Sequence, residues 1–302
     1  MGFTKLKYYV KNTILDILPR TLFKKGTNRS DFNIKNRLDY YNKLESTYKV
    51  ISGTTIEAFR KPKKLKTYYF DLIEFLRYYS KSNKINYEFG DVVKIPAVPT
   101  FVKSRPIKGD NQNSVLMKLN KVRHFKFVKD SINFSDKKNQ LIGRAKIFAY
   151  HPHRIAFYEK YFHHPLCNLG AVNSPKVTQE WDTPKLSIKE HLQYKFILSL
   201  EGNDVATNLK WVMSSNSIAV MPMPTYETWF MEGTLIPNYH FICIKDDYSD
   251  LEEKLTYYIN NTDEALEIVK NANEYTLQFK DDKLESAISF GVVDKYFELQ
   301  EV

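Results

Sequence analysis

The chain has 302 residues, 43% hydrophobic and 15% aromatic, with a formal net charge of +10, which predicts two ordered domains with their own cores and excludes a disordered polypeptide. Cys167 and Cys243, the two cysteines, lack ligand spacing, so neither a disulfide framework nor a zinc site is suggested and a reducing compartment is expected. No run of about 20 apolar residues is present, and the opening MGFTKLKYYVKNTILDILPR lacks a signal-peptide pattern, so neither a membrane span nor export is expected.

In chain order, the amino terminus interleaves Tyr8, Tyr9, Val10, Ile14, Leu15 and Ile17 with lysines. It reads either as a helix packed on the first domain or as a segment resting on an anionic membrane surface. Basic residues cluster early, at Lys5, Lys7, Lys11, Arg20, Lys24 and Lys25, then Arg60, Lys61, Lys63, Lys64 and Lys66. Such a field attracts polyanions without distinguishing among them, and no nucleic-acid-binding motif accompanies it, so no nucleic-acid partner is expected. Between Ile14 and Phe134 the pattern fixes no topology. Tyr69 to Tyr79 has helical spacing at Phe70, Ile73, Leu76 and Arg77, followed by a polar turn over residues 80–84. Pro96 and Pro99 make residues 95–102 a loop or an edge strand.

The second half alternates more regularly. Ala145 to Tyr150 reads as a strand. Ser187 and Glu190 form a capping box. Phe196 to Leu200 reads as a strand ending at Glu201-Gly202-Asn203-Asp204, then comes a helix with buried Leu209, Val212 and Met213. Ile218–Met221 is the next strand, then a short segment around Trp229, then a strand over 241–244. Ser249 and Glu252 suggest a second capping box, opening a helix with Leu251, Leu255, Tyr258 and Ile259 on its apolar face. Strands alternating with helices predict a parallel sheet, whose ligands sit beyond the carboxyl ends of the strands.

Two stretches are candidates for chemistry. Gly202 permits a tight turn before a helix whose first amides, near Ala206 to Asn208, together with Lys210, suit a diphosphate, although most such turns merely connect. Glu227 and Glu232 flank Trp229 in a proline-bounded loop, where a carboxylate can accept from ribose hydroxyls or stand solvated beside a packed tryptophan. His124, His151, His153, His163 and His164 have no carboxylate or cysteine at ligand spacing, so phosphate or acceptor contacts, or plain surface positions, are expected rather than a metal.

The run from His191 to Ile259, with KFILSLEGNDVATNLKWVMSSNSIAV, YETWFMEGTLIPNYHF and IKDDYSDLEEKLTYY, resembles glycosyltransferase family 90, which includes CAP10-like, protein O-glucosyltransferase and bacterial lipopolysaccharide-core enzymes. The upstream PTFVKSRPIKGDNQNSVLMKLNKVRHF is similar to the lipopolysaccharide branch, so the resemblance spans residues 85 to 275. It implies an α/β fold of GT-B type, two Rossmann-like domains facing across a cleft: residues 1–138 on the acceptor side, 139–275 binding the sugar nucleotide, and 276–302 a helix over Leu284–Leu299 returning to the first domain. It also implies an inverting transfer from a UDP-sugar to a hydroxyl of a lipopolysaccharide or other surface glycan, with no cofactor and no metal, in agreement with the lack of an Asp-x-Asp motif.

By this resemblance Asp91 is the general base, with Asp110 as the alternative. Lys103, Ser104 and Arg105 lie on the acceptor side, and Arg144, Gly202, Asn203, Thr207, Asn208, Lys210, Glu227 and Glu232 bind the donor. Arg144 falls where eukaryotic relatives have an Arg-Gly-Ser-Arg stretch, but Ala145 replaces the glycine after it, and Asn208 stands where those relatives have arginine. The expected partners are a UDP-sugar and a glycan or lipid-linked glycan, with a peripheral membrane contact on the inner face and a cytoplasmic setting. A non-catalytic glycan- or lipid-binding protein on the same fold is the competing reading.

Overall fold

The computed structural model describes residues 3–23, 34–173 and 177–301; Lys24 and Lys25 of the early basic run lie outside them. The described residues form two compact units, one drawn from 1–125, 225–231 and 279–302, the other from 126–224 and 232–278. The chain therefore crosses out of the first unit at Phe125 rather than near 138. It returns twice, the first time because Tyr226–Thr228 pairs antiparallel with Ser104–Pro106.

In the first unit the helix Phe3–Ile17 lies on the helix Lys66–Leu76. Tyr8 Oη donates to Asp71 Oδ1 at 2.7 Å, Tyr69 Oη to Asp16 Oδ1 at 2.9 Å, and Arg77 Nη1 to the Leu15 carbonyl at 2.9 Å. The helix expected over 69–79 begins and ends three residues earlier, with Leu65 at its amino end in the left-handed region at φ 58°. It is buried nearly all round, as a central helix must be.

The segment expected to be a loop or edge strand contains instead the central strand of a three-stranded parallel sheet. Thr100–Val102 lies between Tyr87–Glu88 and Ser114–Leu116 and is wholly buried. Both prolines precede residue 100, so every amide the ladder needs survives; Thr100 N donates to Asn113 O at 2.9 Å. These strands are two or three residues long, shorter than the four longer strands of the second unit's sheet.

The helix Asp282–Glu298 is capped by Asp281, whose carboxylate accepts from Lys283 N and Leu284 N. It crosses the helix Lys35–Tyr41 at Gly291, where a Cβ would lie 2.5 Å from Leu38 Cδ1. Glu285 on this helix accepts from Arg37 at 2.6 Å, Lys118 at 2.7 Å and Trp229 Nε1 at 2.7 Å, and Trp229 stacks on Tyr41 at 3.8 Å between ring centroids.

The second unit runs β1 (Lys138–Ala145), α1 (Pro152–Tyr161), β2 (Cys167–Ala171), α2 (Ile188–His191), β3 (Tyr194–Leu198), α3 (Leu209–Met213), β4 (Ile218–Met221), β5 (Ile242–Cys243), α4 (Leu251–Asn260) and α5 (Thr262–Leu277). The five strands are parallel in the order 2-1-3-4-5. Leu141, Ile142, Phe196, Ile197, Ile218 and Val220 are buried on the two faces, as a parallel sheet covered by helices requires.

The strand expected over 145–150 ends where it was to begin. β1 is the preceding stretch, in which Gly143 lets β2 and β3 close in; a Cβ there would meet Leu169 Cδ2 at 3.0 Å and Leu198 Cδ2 at 3.1 Å. Beyond Ala145 the ladder gives way to the Asn173 side chain, which accepts from Ile147 N at 2.6 Å and donates to Ile147 O at 2.8 Å.

The Ser187–Glu190 capping box forms in both halves. The Ser249–Glu252 box does not. Asp250 is the residue ahead of α4, and its Oδ1 accepts from Lys245 N at 2.9 Å rather than from the helix. Leu251, Leu255 and Tyr258 form the buried face of α4.

Candidate functional site

In a 2-1-3-4-5 sheet the connections depart to opposite sides between β1 and β3, opening a crevice beyond their carboxyl ends where α/β proteins receive ligands. In this chain the loops there are residues 146–151 after β1 and 199–208 after β3. Pro152 occupies the first turn of α1, where its missing amide costs nothing; the Arg154 and Ile155 amides donate to His151 O at 3.0 and 3.1 Å, which leaves the His153 amide at the positive end of the helix dipole.

Three side chains from the start of α1 hold the β3 loop. His151 Nε2 lies 3.0 Å from Asn203 Oδ1. His153 Nε2 and Arg154 Nε both donate to Glu201 O at 2.8 Å, while Arg154 reaches Leu200 O at 3.0 Å and Lys146 O at 2.7 Å. Gly202 turns the loop, its amide donating to Asp204 O at 2.8 Å, and a Cβ on it would lie 3.2 Å from Arg154 Nη2. His151 is buried, and its Nδ1 has no hydrogen-bond partner. Burial pushes its imidazole below the ordinary histidine value, against the hydrogen bond to Asn203 and with the aid of the charge of Arg154. The lowered value favours the neutral ring.

Of the residues expected to bind the donor, Gly202 and Asn203 lie in this crevice and Thr207 is half-buried in the same loop. Asn208 ties the loop back to its strand, Nδ2 donating to Leu198 O at 2.9 Å. Arg144 faces β2: its guanidinium donates to Gly143 O and Asn168 O at 2.9 Å each and to Asn168 Oδ1 at 2.8 Å.

Lys210 is the clearest departure from expectation. α3 is a single turn with all five residues buried, so the lysine points inward, fully buried, and its ammonium is paired with the buried Glu232. Its charge is neutralised inside the unit instead of being offered to a diphosphate.

Glu227 and Glu232, read as a pair, fall in different units. Glu227 is opposite Arg105 in the antiparallel ladder, accepting from Arg105 Nε at 2.7 Å and from Tyr40 Oη; Arg105 also donates to Tyr40 O at 2.7 Å and Ser114 O at 3.0 Å. Two expected site residues are thereby committed to each other. Ser104 is buried, bridging Val92 N at 3.1 Å and Val92 O at 3.2 Å. Asp91 keeps 31% of its side chain exposed and pairs at 2.6 Å with Lys103, which is 2% exposed. Asp110 is exposed and accepts from Gln112 N at 3.3 Å and Gln112 Nε2 at 3.0 Å.

Phosphate or acceptor contacts, or plain surface positions, were expected of His151 and His153, and Arg154 was not singled out. The signal was His-Pro-His-Arg, a proline-led helix start following the end of a central strand. Among the described residues no group of three or more His, Cys, Asp or Glu is placed to hold a metal ion, and no helix is long and apolar enough to cross a membrane.

Comparison with known proteins points one way. The model of glycosyl transferase family 90 matches residues 167–302. The chain is 40% identical over 309 residues to the O-glucosyltransferase LpsA of Dichelobacter nodosus, an alignment taking in 98% of this chain and 96% of the relative.

Proposed function

The chain belongs to glycosyltransferase family 90, and from that premise we propose that it transfers glucose from UDP-glucose to a hydroxyl of a lipopolysaccharide or related surface glycan, with inversion and without an obligatory metal, on a GT-B framework. The observation that carries this reading is the near full-length identity with an O-glucosyltransferase.

The donor diphosphate is assigned to the β1/β3 crevice, where the positive end of the α1 dipole and the His153 amide suit an anion and His151, Gly202 and Asn203 shape the wall. Fixed donors of this kind stabilise the charge that develops on a leaving diphosphate. Arg154 and Asn208 hold the loop in place. Lys210 and Glu232 support it from inside rather than touching the nucleotide. Asp91 is assigned as general base: its carboxylate takes the acceptor proton, the acceptor oxygen attacks the anomeric carbon from the face opposite the leaving group, and the bond to the diphosphate breaks, releasing UDP. The Lys103 ammonium, 2.6 Å away, orients the Asp91 carboxylate.

The test is UDP release by the purified protein given UDP-glucose and a lipopolysaccharide-core acceptor, with the anomeric configuration of the product read by NMR. Release dependent on acceptor, giving the inverted linkage, is expected. No release with any UDP-sugar would overturn the reading, and a retained configuration would remove Asp91 from its role.

A further inference from the structure

The helix Phe3–Ile17 has two faces. One, carrying Tyr8, Asn12 and Asp16, is docked: Asn12 is buried, Tyr8 bonds Asp71, and Asp16 accepts from Tyr69 and pairs with Lys61 at 3.0 Å. The other carries Leu6, Val10, Ile14 and Ile17, exposed at 51%, 52%, 55% and 77%. Spacings of four, four and three residues align these four side chains in one stripe, and exposed Leu18 and Leu22 extend it past the helix end. Apolar side chains scattered singly over a surface need no explanation, but a continuous ridge does.

The surroundings of the ridge say what covers it. Lys7 and Lys11 are exposed along one flank. Beside its carboxyl end lies a hollow of about 320 Å³ lined by Arg20, Arg60, Lys61 and Arg77. The one acid in its wall, Asp16, is already paired with Lys61. Arg20 Nη1 is buried in the unit without a hydrogen-bond partner, while Nη2 donates to Ile56 O at 3.1 Å. An apolar ridge flanked by lysines and followed by a basic hollow has the composition of a helix lying in the plane of an anionic bilayer, its ridge among the acyl chains and its cations at the phosphates.

We propose that this helix seats the protein on anionic phospholipid, with the ridge Leu6, Val10, Ile14 and Ile17 inserted and the Arg20–Arg60–Arg77 hollow receiving a headgroup phosphate. The inference does not depend on the transferase reading, because it concerns a surface that makes no use of Asp91 or the β1/β3 crevice.

It is tested by co-sedimentation of the full chain with vesicles of phosphatidylcholine alone and with vesicles in which about a third of the lipid is phosphatidylglycerol. Binding to the anionic vesicles at least about tenfold tighter, and weakened by raising the salt from about 50 to 500 mM, is expected. The double variant Val10→Ser/Ile14→Ser should lose about tenfold in binding at unchanged melting temperature, since both side chains already face water. Lys7→Gln/Lys11→Gln should weaken the preference for anionic lipid, since the hollow retains its arginines. Equal binding to both vesicle types, or none to either, overturns the proposal. So does light scattering that shows a dimer which Val10→Ser/Ile14→Ser dissolves, because the ridge would then be covered by a second copy.

Discussion

Arg105 and Glu227 sit directly opposite each other in the antiparallel pair of Ser104–Pro106 with Tyr226–Thr228, 122 residues apart in sequence, their charged atoms 2.7 Å apart and both side chains buried. Removing one member of such a pair strands the other charge away from water. Glu227→Ala is therefore expected to destabilise the protein by about 3–5 kcal/mol, read as a lowered urea midpoint. Replacing both residues with apolar side chains of similar volume should cost much less than Glu227→Ala alone. A loss below about 1 kcal/mol on Glu227→Ala would show the pair to be solvated.

How much of this molecule was legible beforehand follows from where the determining contacts lie. Ile218–Met221 is found end for end, and the Ser187 box and the α4 stripe form as read, because helix caps and the periodicity of buried faces are local signals. The return of 225–231 to the first unit rests on the long-range pairing of Arg105 with Glu227, for which no local pattern exists. Lys210 misled for a related reason. Its spacing is compatible with a phosphate-facing helix start, but only the position of Glu232, 22 residues on, reveals that the side chain turns inward. In the candidate site, Gly202 and Asn203 were legible from the strand–turn pattern. The hold that His151 and Arg154 have on the β3 loop was not, since it depends on β1 ending at Ala145.

Asp91 gives a kinetic prediction. A positioned general base contributes about 10²–10⁴ to rate, so Asp91→Asn should lower kcat by a factor in that range while leaving the UDP-induced rise in melting temperature in place. Asp110→Asn, at an exposed side chain, should leave kcat within about twofold of wild type. If the two variants exchange these behaviours, Asp110 is the base.

His151 ties stability and donor binding to pH. Its folded pKa lies below the ordinary value because of burial, so its contribution is intact above about pH 6.5 and is lost as pH falls toward the folded value, the unfolded chain binding the proton first. His191 and His240, also lowered chiefly by burial, act in the same direction. Between pH 7.5 and 5 the melting temperature of His151→Gln should therefore fall less steeply than that of wild type, though it should still fall. The same variant should raise the donor KM several-fold with little change in kcat if the β1/β3 crevice holds the nucleotide. An unchanged KM would move the donor elsewhere.

Asp71 predicts a pH effect of opposite sign. It is wholly buried, accepting from Tyr8 Oη at 2.7 Å and Lys121 N at 2.9 Å, with Lys121 Nζ 3.7 Å away. Burial outweighs these partners and pushes its pKa up to about 6, from 3.8. The folded protein then takes up a proton at Asp71 before the unfolded chain does, so this group's contribution is fully present below about pH 4 and is lost as pH rises through about 6. The difference is worth about 3 kcal/mol. Asp71→Asn does not titrate, so on going from pH 7.5 to 4.5 wild type should gain on the variant by about 2 kcal/mol, measured as the difference between urea unfolding free energies at each pH. Subtracting one protein from the other cancels the histidines, which the two share. Parallel pH profiles would mean that Lys121 and Tyr8 keep the carboxylate ionised throughout. Because Tyr8 belongs to the amino-terminal helix, Tyr8→Phe should shift the midpoint of the wild-type gain to higher pH by removing a hydrogen bond that favours the carboxylate.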